Sequence, residues 1–201
     1  MKDRYVGYVL CVVVIFAAMA GKPLALDQQP GWLLVAAPSM SDPRFAGTVI
    51  FILHHGDDGT KGVIVNRLIS TQPAGEVMEQ MLGAEAPLTN GPDVRIQFGG
   101  PVRTTRWTYV HSNDYAGPNT TTVTARVSIT SNANVLAAVA QGKGPAHGFL
   151  AIGYAGWGPG QLAKEMARKD WIAVPTDSEI VLDGRIATKW RRALDRRGVD
   201  L

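Results

Sequence analysis

Residues 149–174, FLAIGYAGWGPGQLAKEMARKDWIAV, carry the clearest strand, turn and helix signals of the chain. Residues 149–154 form an apolar run between Gly148 and Ala155-Gly156, the pattern of a buried strand. A glycine turn follows. Pro159 suits a first helical position, where its missing N–H costs nothing, and Gln161 falls where a capping side chain reaches back. Leu162, Ala163, Met166 and Ala167 recur at helical spacing, and Glu165 with Lys169 makes a favourable i,i+4 pair. A strand over 171–174, stopped by Pro175, completes a strand–turn–helix–strand unit.

Working outward, residues 32–37, 48–53, 62–65, 94–98, 107–111 and 121–129 read as strands. The Gly-Asp content of 54–59 predicts a hairpin loop longer than two residues. Helices are predicted over 73–82, with Thr71 or Gln72 flanking the start, and after Ser131 as cap, through Val135, Leu136 and Val139. Residues 179–182 read as a short strand. Ile186, Trp190 and Leu194 line a last helix whose other faces carry Lys189, Arg191, Arg192, Arg196 and Arg197. The expectation is a single α+β domain with a mixed sheet and three to four helices.

The chain has 201 residues, 46% hydrophobic and 18% charged, and a net charge of +3, too small a balance to imply nucleic acid without a clustered patch. Lys2 and Arg4 precede an uncharged apolar run, residues 5–20, with small residues at Ala18 and Ala20. This is the layout of a secretory signal peptide, cleaved after Ala20 or Ala25, with an inner-membrane anchor through residues 5–20 as the alternative. Residues 21–31 read as a linker and 32–201 as the domain. The single cysteine, Cys11, lies in the apolar run, so a processed chain has no thiol for disulfides, metal or nucleophilic chemistry. The expected location is periplasmic or secreted.

The segments LLVAAPSMSDPRFAGTVIFILHH near the start, GVIVN at 62–66, GGPV at 99–102 and GYAGWGPGQLAKE with Trp171 and Trp190 resemble, in order, the YqgE/AlgH family of bacterial proteins. The resemblance spans about residues 32–201. It implies a twisted, bulged sheet and no cofactor, and it carries a proposed regulatory role without an agreed biochemical activity. His55 and Asn66 stand where that family commonly has His and Asn, while Leu68 stands where Pro is often found. The export-type segment departs from the family's usual start at the first strand, and it argues against direct transcriptional control.

Several residue groups invite chemistry. His54, His55, Asp57 and Asp58 have metal-ligand types, but adjacent strand residues point to opposite faces, so no metal is expected. His55 is eligible as a general base, with Asn66 or a carboxylate to orient it, which defines a hydrolase alternative. The 156–160 turn fits no phosphate-loop spacing. Its structural reading is a sharp turn with Trp157 over the core; its functional reading is a small-anion or carbohydrate site walled by Tyr154, Trp157, Gly158 and Gln161. Gly99, Gly100 and Arg103, with Arg106, supply a second wall if the two turns meet. Arg191, Arg192, Arg196 and Arg197 make a candidate membrane-surface contact. The leading expectation is an exported or membrane-tethered, non-enzymatic binding or regulatory protein with a small-anion or protein partner. A cytoplasmic transcriptional regulator is the further alternative.

Overall fold

Strand β9 (Gly148–Trp157) is the axis of the molecule, because both its edges and both its faces are covered. Along one edge it pairs antiparallel with β6 (Val102–Ser112). Along the other it pairs first, in parallel, with β5 (Asp93–Phe98), and then, antiparallel, with β3 (Gly59–Ile64). Phe149 and Ala151 enter one core, Leu150 a second, and Ala155 and Trp157 a third. A strand buried on both faces reads as a continuous apolar run rather than an alternating one.

This computed structural model describes residues 31–83 and 91–197. The remaining described strands are β1 (Trp32–Ala36), β2 (Val49–Gly56), β4 (Leu68–Pro73), β7 (Thr121–Thr122), β8 (Val127–Thr130) and β10 (Trp171–Pro175). They run in the order β10-β1-β2-β3-β9-β6-β8-β7, with β4–β5 branching from β9. Every pairing except β5–β9 is antiparallel, so the sheet is mixed. The helices are α1 (Ala74–Leu82), α2 (Asn134–Ala140), α3 (Gln161–Ala167), α4 (Ser178–Leu182) and α5 (Lys189–Leu194). The single-domain α+β expectation holds, with five α-helices among the described residues where three to four were expected. Among the described residues no helix is long and apolar enough to cross a membrane. The signal segment, cleavage sites, Cys11 and most of the linker lie outside the described residues.

The exchange of β5 for β3 happens at Gly153, where φ is +70°. A side chain there would strike the Gly100 carbonyl, and one on Gly100 (φ +150°) would enter the Tyr154–Ala155 peptide. Gly99 links β9 to β3 at this point, donating to Ile152 O at 2.8 Å and accepting from Ile64 N–H at 2.9 Å.

Several elements differ from the sequence reading. The buried strand is longer than 149–154, so Trp157 ends β9 instead of sitting in a turn, and α3 starts at Gln161, after Gly160, rather than at Pro159. Strand β2 runs through both histidines, and Gly56 pairs with Gly59, leaving a two-residue turn at Asp57-Asp58. Strand β4 occupies the stretch read as a helix flank; its Leu68 and Ile69 are exposed, so the usual alternation signal is missing. Residues 121–129 fold as the β7–β8 hairpin. Ser131 donates to Trp107 O instead of capping, and Asn132 accepts from Asn134 N–H. Residues 179–182 are helical, started by Asp177, whose carboxylate accepts from Glu179 N–H at 2.8 Å.

Lys189, placed by the sequence on a face of the last helix away from its apolar stripe, is fully buried. Its Nζ donates to Val181 O at 2.8 Å and stands 5.8 Å above the centre of the Phe149 ring. Burial, reinforced by Arg95 and Arg192 and opposed by Asp183, pushes its pKa down to about 7. An unfolded lysine keeps its proton up to about pH 10.4. Between the two values the unfolded chain binds more protons, so this group makes stability rise with pH from about 7 to about 10. Lys189→Met should flatten that rise in urea unfolding measured at pH 6.5, 8 and 9.5. An unchanged slope in the variant would show that the lysine is charged in the fold.

Candidate functional site

The end of β9, helix α3, strand β10 and the loop after β1 build a recess of about 330 Å³. Its floor is an aromatic ladder: the Phe45 and Trp171 rings meet edge-on at 5.6 Å, and Trp171 meets Trp157 at 5.7 Å. Both indoles are buried, and both ring N–H groups donate to one oxygen of Glu165, each at 2.8 Å. The other oxygen accepts from the Gln161 amide at 2.9 Å, while the Gln161 carbonyl oxygen accepts from Gly158 N–H at 3.1 Å. Burial works against the charge on Glu165, but Gln161, Trp171, Trp157 and Arg168 together hold its pKa below the usual carboxylate range.

The rim is held as firmly. Asp42 takes a bidentate bond from Arg44 and a backbone bond from Arg44 N–H. Asn66 pins the loop by accepting from Val49 N–H and donating to Gly47 O, both at 2.8 Å, and Arg67 donates to the Pro43 and Ala46 carbonyls. On the far side Arg168 is paired with Asp170 at 2.6 Å. The Arg44 and Arg168 side chains remain 66% and 61% exposed, leaving donors free at the mouth.

Of the expected binding residues, Trp157 and Gln161 line this recess, with Gly158 adjoining it. Tyr154 lies three residues back along β9, half-buried. Gly99 and Gly100 are buried against residues 151–155, and Arg103 (φ +50°) sits on an exposed excursion of β6, with Arg106 beside it. Two surfaces therefore replace the single pocket considered from the sequence. Glu165, Trp171, Arg44, Phe45 and Arg168 were missed. A signal for part of this set existed: Gln161 and Glu165 fall at i and i+4 on one face of α3, with Arg168 just past its end, and Glu165 turns inward instead of pairing with Lys169.

His55 shares a 2.6 Å bond with its cross-strand neighbour Thr60, and His54 pairs with Asp58, so the two rings do not converge. Asn66 spends its amide on backbone at the other end of the β2–β3 hairpin, away from His55. Among the described residues no three potential metal ligands gather. In the terminal segment, Arg192 is bound to Asp183 at 2.6 Å and Arg196 to Asp177, while Arg191 and Arg197 are exposed without a side-chain partner among the described residues.

Strand β9 and the strands paired to it define an α+β fold also found in solved proteins. The solution structure of the AlgH protein from Pseudomonas aeruginosa matches with a TM-score of 0.70 and 32% identity over 85% of this chain and 89% of that one. A crystal structure of a protein from Corynebacterium diphtheriae shares the fold, with a TM-score of 0.66 and 24% identity, covering 85% of this chain and 88% of that one. A UPF0301 protein of Rhodospirillum rubrum is 38% identical over 182 residues, covering 89% of this chain and 94% of the relative. Residues 33–201 match the AlgH-like family model, and the chain belongs to that family.

Glu165→Leu should leave two buried indole donors unpaired, at about 1–3 kcal/mol each. Glu165→Gln, which keeps one acceptor oxygen, should cost less than half as much. Urea unfolding followed by tryptophan emission distinguishes these values; equal losses from both variants would mean that the charge, not the acceptor, matters.

Proposed function

We propose that the protein is a non-enzymatic binding or regulatory protein, exported or membrane-tethered, which receives a segment of a protein partner in the Trp157–Trp171 recess. The observation that carries this reading is the recess itself: a rigid aromatic floor with partly free guanidinium heads at its mouth. Its charges favour a peptide over the small anion. Arg44 and Arg168 stand against Asp42, Glu165 and Asp170, so carboxylates are in excess and a free anion meets net repulsion. A peptide can meet both signs at once and bury an apolar side chain on the ring edges. The hydrolase alternative is centred on His55 with Asn66 or a carboxylate to orient it, but the His55 ring bonds to Thr60, which is 3% exposed, and Asn66 bonds to backbone, which favours a structural role for both. The membrane-surface reading now rests on Arg191 and Arg197, since Arg192 and Arg196 are engaged in the fold.

Trp157 is a poor probe of binding because its side chain is part of the core. A photo-crosslinking residue in place of Arg168, in the full-length chain in its own bacterium, should trap a discrete protein adduct in the envelope fraction. The same residue in place of Lys143, after α2, should not. Equal trapping at both positions, or none at Arg168, would end the recess reading. The mass of the same chain should show a mature N-terminus at Gly21 or Leu26, or an intact chain in the membrane. Intact soluble protein would instead support the cytoplasmic regulator.

A further inference from the structure

The end of β6 carries an imidazole with only one nitrogen in use. His111 is fully buried, and its Nδ1–H donates to Ser112 O at 2.8 Å, so the neutral ring presents a bare lone pair at Nε2. That atom is buried and has no hydrogen-bond partner among the described residues. The ring lies beside Tyr109, with centres 6.2 Å apart, and meets the Tyr115 ring edge-on at 5.6 Å. Burial, opposed by the Ser112 carbonyl and by Asp114, pushes its pKa below the ordinary histidine value.

Tyr115 belongs to the segment 113–120, which connects β6 to β7 across this face. Strand β8 supplies its seat. Ser128, opposite His111, donates to Asn113 Oδ1 at 2.6 Å, and Thr130, opposite Tyr109, donates to Pro118 O at 3.3 Å. Asp114 fastens the near end by accepting from Ser112 Oγ at 2.6 Å and Ala146 N–H at 3.0 Å. Of the segment, only Tyr115 packs against a hydrophobic core; the ties just named are polar. Residues 112–114 also line a cleft of about 680 Å³, whose other walls include Ala146, His147, Glu179 and Asp183.

A proton added at Nε2 turns the lone pair into a charged donor without an acceptor, which a buried site tolerates poorly. The charges around the ring are few. Asp114, on the covering segment, favours the proton, and its own pKa is held low, first by the Ser112 hydroxyl. Strand β8 follows Arg126, next to the Val127 that pairs with Ser112, and β9 follows His147, next to the Gly148 that pairs with His111. Arg95 acts on Tyr109, whose hydroxyl burial pushes up to about 12 and so keeps neutral. Helices α1 and α2, which share this core, add only the exposed Glu76 and Glu79. With the segment open, His111 titrates near pH 6.5, and with it closed, lower. The open form therefore binds more protons, and its share rises as pH falls below about 6.5, by at most about tenfold per pH unit.

We propose that residues 113–120 form an acid-released lid: protonation of His111 lifts Tyr115 and the segment around it off β8, and the cleft loses the wall that residues 112–114 supply. Opening also brings water to the Thr120 hydroxyl, which is buried without a partner among the described residues. The strands beneath stay in place, since β6 keeps its pairing with β8 and β9.

The test follows the full chain by NMR from about pH 7.5 to about pH 4.5, reading the His111 ring shifts and the amide protection factors together. Protection over 113–120 should fall with the same midpoint as the His111 titration, below about pH 6.5, while amides of β2 and β5 keep theirs. Tyr115→Ala, a change at a half-buried residue of the segment, should move the His111 midpoint up toward about 6.5. His111→Phe, which keeps the ring contacts and takes no proton, should abolish the acid opening. Protection over 113–120 that holds through the titration, a loss shared equally by β2 and β5, a His111 midpoint unmoved by Tyr115→Ala, or acid opening that persists in His111→Phe would each overturn the proposal.

Discussion

Gly153 and Gly100 cross where only hydrogen atoms fit, and the architecture depends on that crossing. A Cβ on either residue would fall on the other strand's backbone. Because the two backbones touch, β5 can leave the edge of β9 at Ile152 and β3 can take its place from Ala155, with Gly99 bonded to β9 and to β3. A single strand then serves three hydrophobic cores, and the sheet curls there, with β6 leaving its pairing to β9 between Val102 and Trp107. Positive φ and close approach are both tolerated by glycine and costly for any other residue. The same crossing sets the direction in which β9 continues, and so where Trp157 and helix α3 stand.

The two ends of β9 illustrate different solutions to buried polarity. At the Trp157 end, one carboxylate satisfies two indoles and an amide, and the donors hold its negative charge. At the Phe149 end, two cations, Arg95 and Lys189, stand over one ring and donate mostly to backbone carbonyls around α4. Carbonyl dipoles and a ring face compensate a cation less completely than a carboxylate does, and the two cations also repel each other. Lys189 therefore gives up its proton far more readily than an exposed lysine. The first arrangement fixes a surface recess; the second fixes a helix of only five residues, too short to be stable on its own.

Much of this was readable in the sequence where one signal decided the matter. The strand–turn–helix–strand order of 149–174 follows from apolar runs punctuated by glycine and proline, and the family resemblance rested on the same residues. Reading failed where long-range partners overrode local pattern. Leu68 and Ile69 point outward on an edge strand, so β4 has no alternating signature. Residues 179–182 look like a strand because Ile180, Val181 and Leu182 are all buried, yet Asp177 starts a helix there. Lys189 lies on a helix among arginines, and nothing nearby in sequence announces Val181 O or Phe149 as its neighbours. In the site, Trp157 and Gln161 were visible as unusual turn residues. The role of Glu165 was not, because its partners come from β9 and β10 on either side of its own helix.

The recess and the cleft lie at opposite ends of one strand: Trp157 closes β9 against the first, and His147, immediately before β9, lines the second. Both are lined by three carboxylates and two arginines: Asp42, Glu165 and Asp170 with Arg44 and Arg168 at the first, Asp114, Glu179 and Asp183 with Arg126 and Arg185 at the second. Two such surfaces communicate only if an element reaching both has two arrangements of similar energy. Strand β9 is a poor candidate, since it is paired on both edges and its Gly153 conformation is imposed by backbone contact. Helix α4 is short, but Ile180, Val181 and Leu182 anchor it in the core, and Arg95 and Lys189 tie its carbonyls. A change at one end of β9 is therefore absorbed where it occurs, and the aromatic recess is insulated from the cleft by the most constrained strand in the fold.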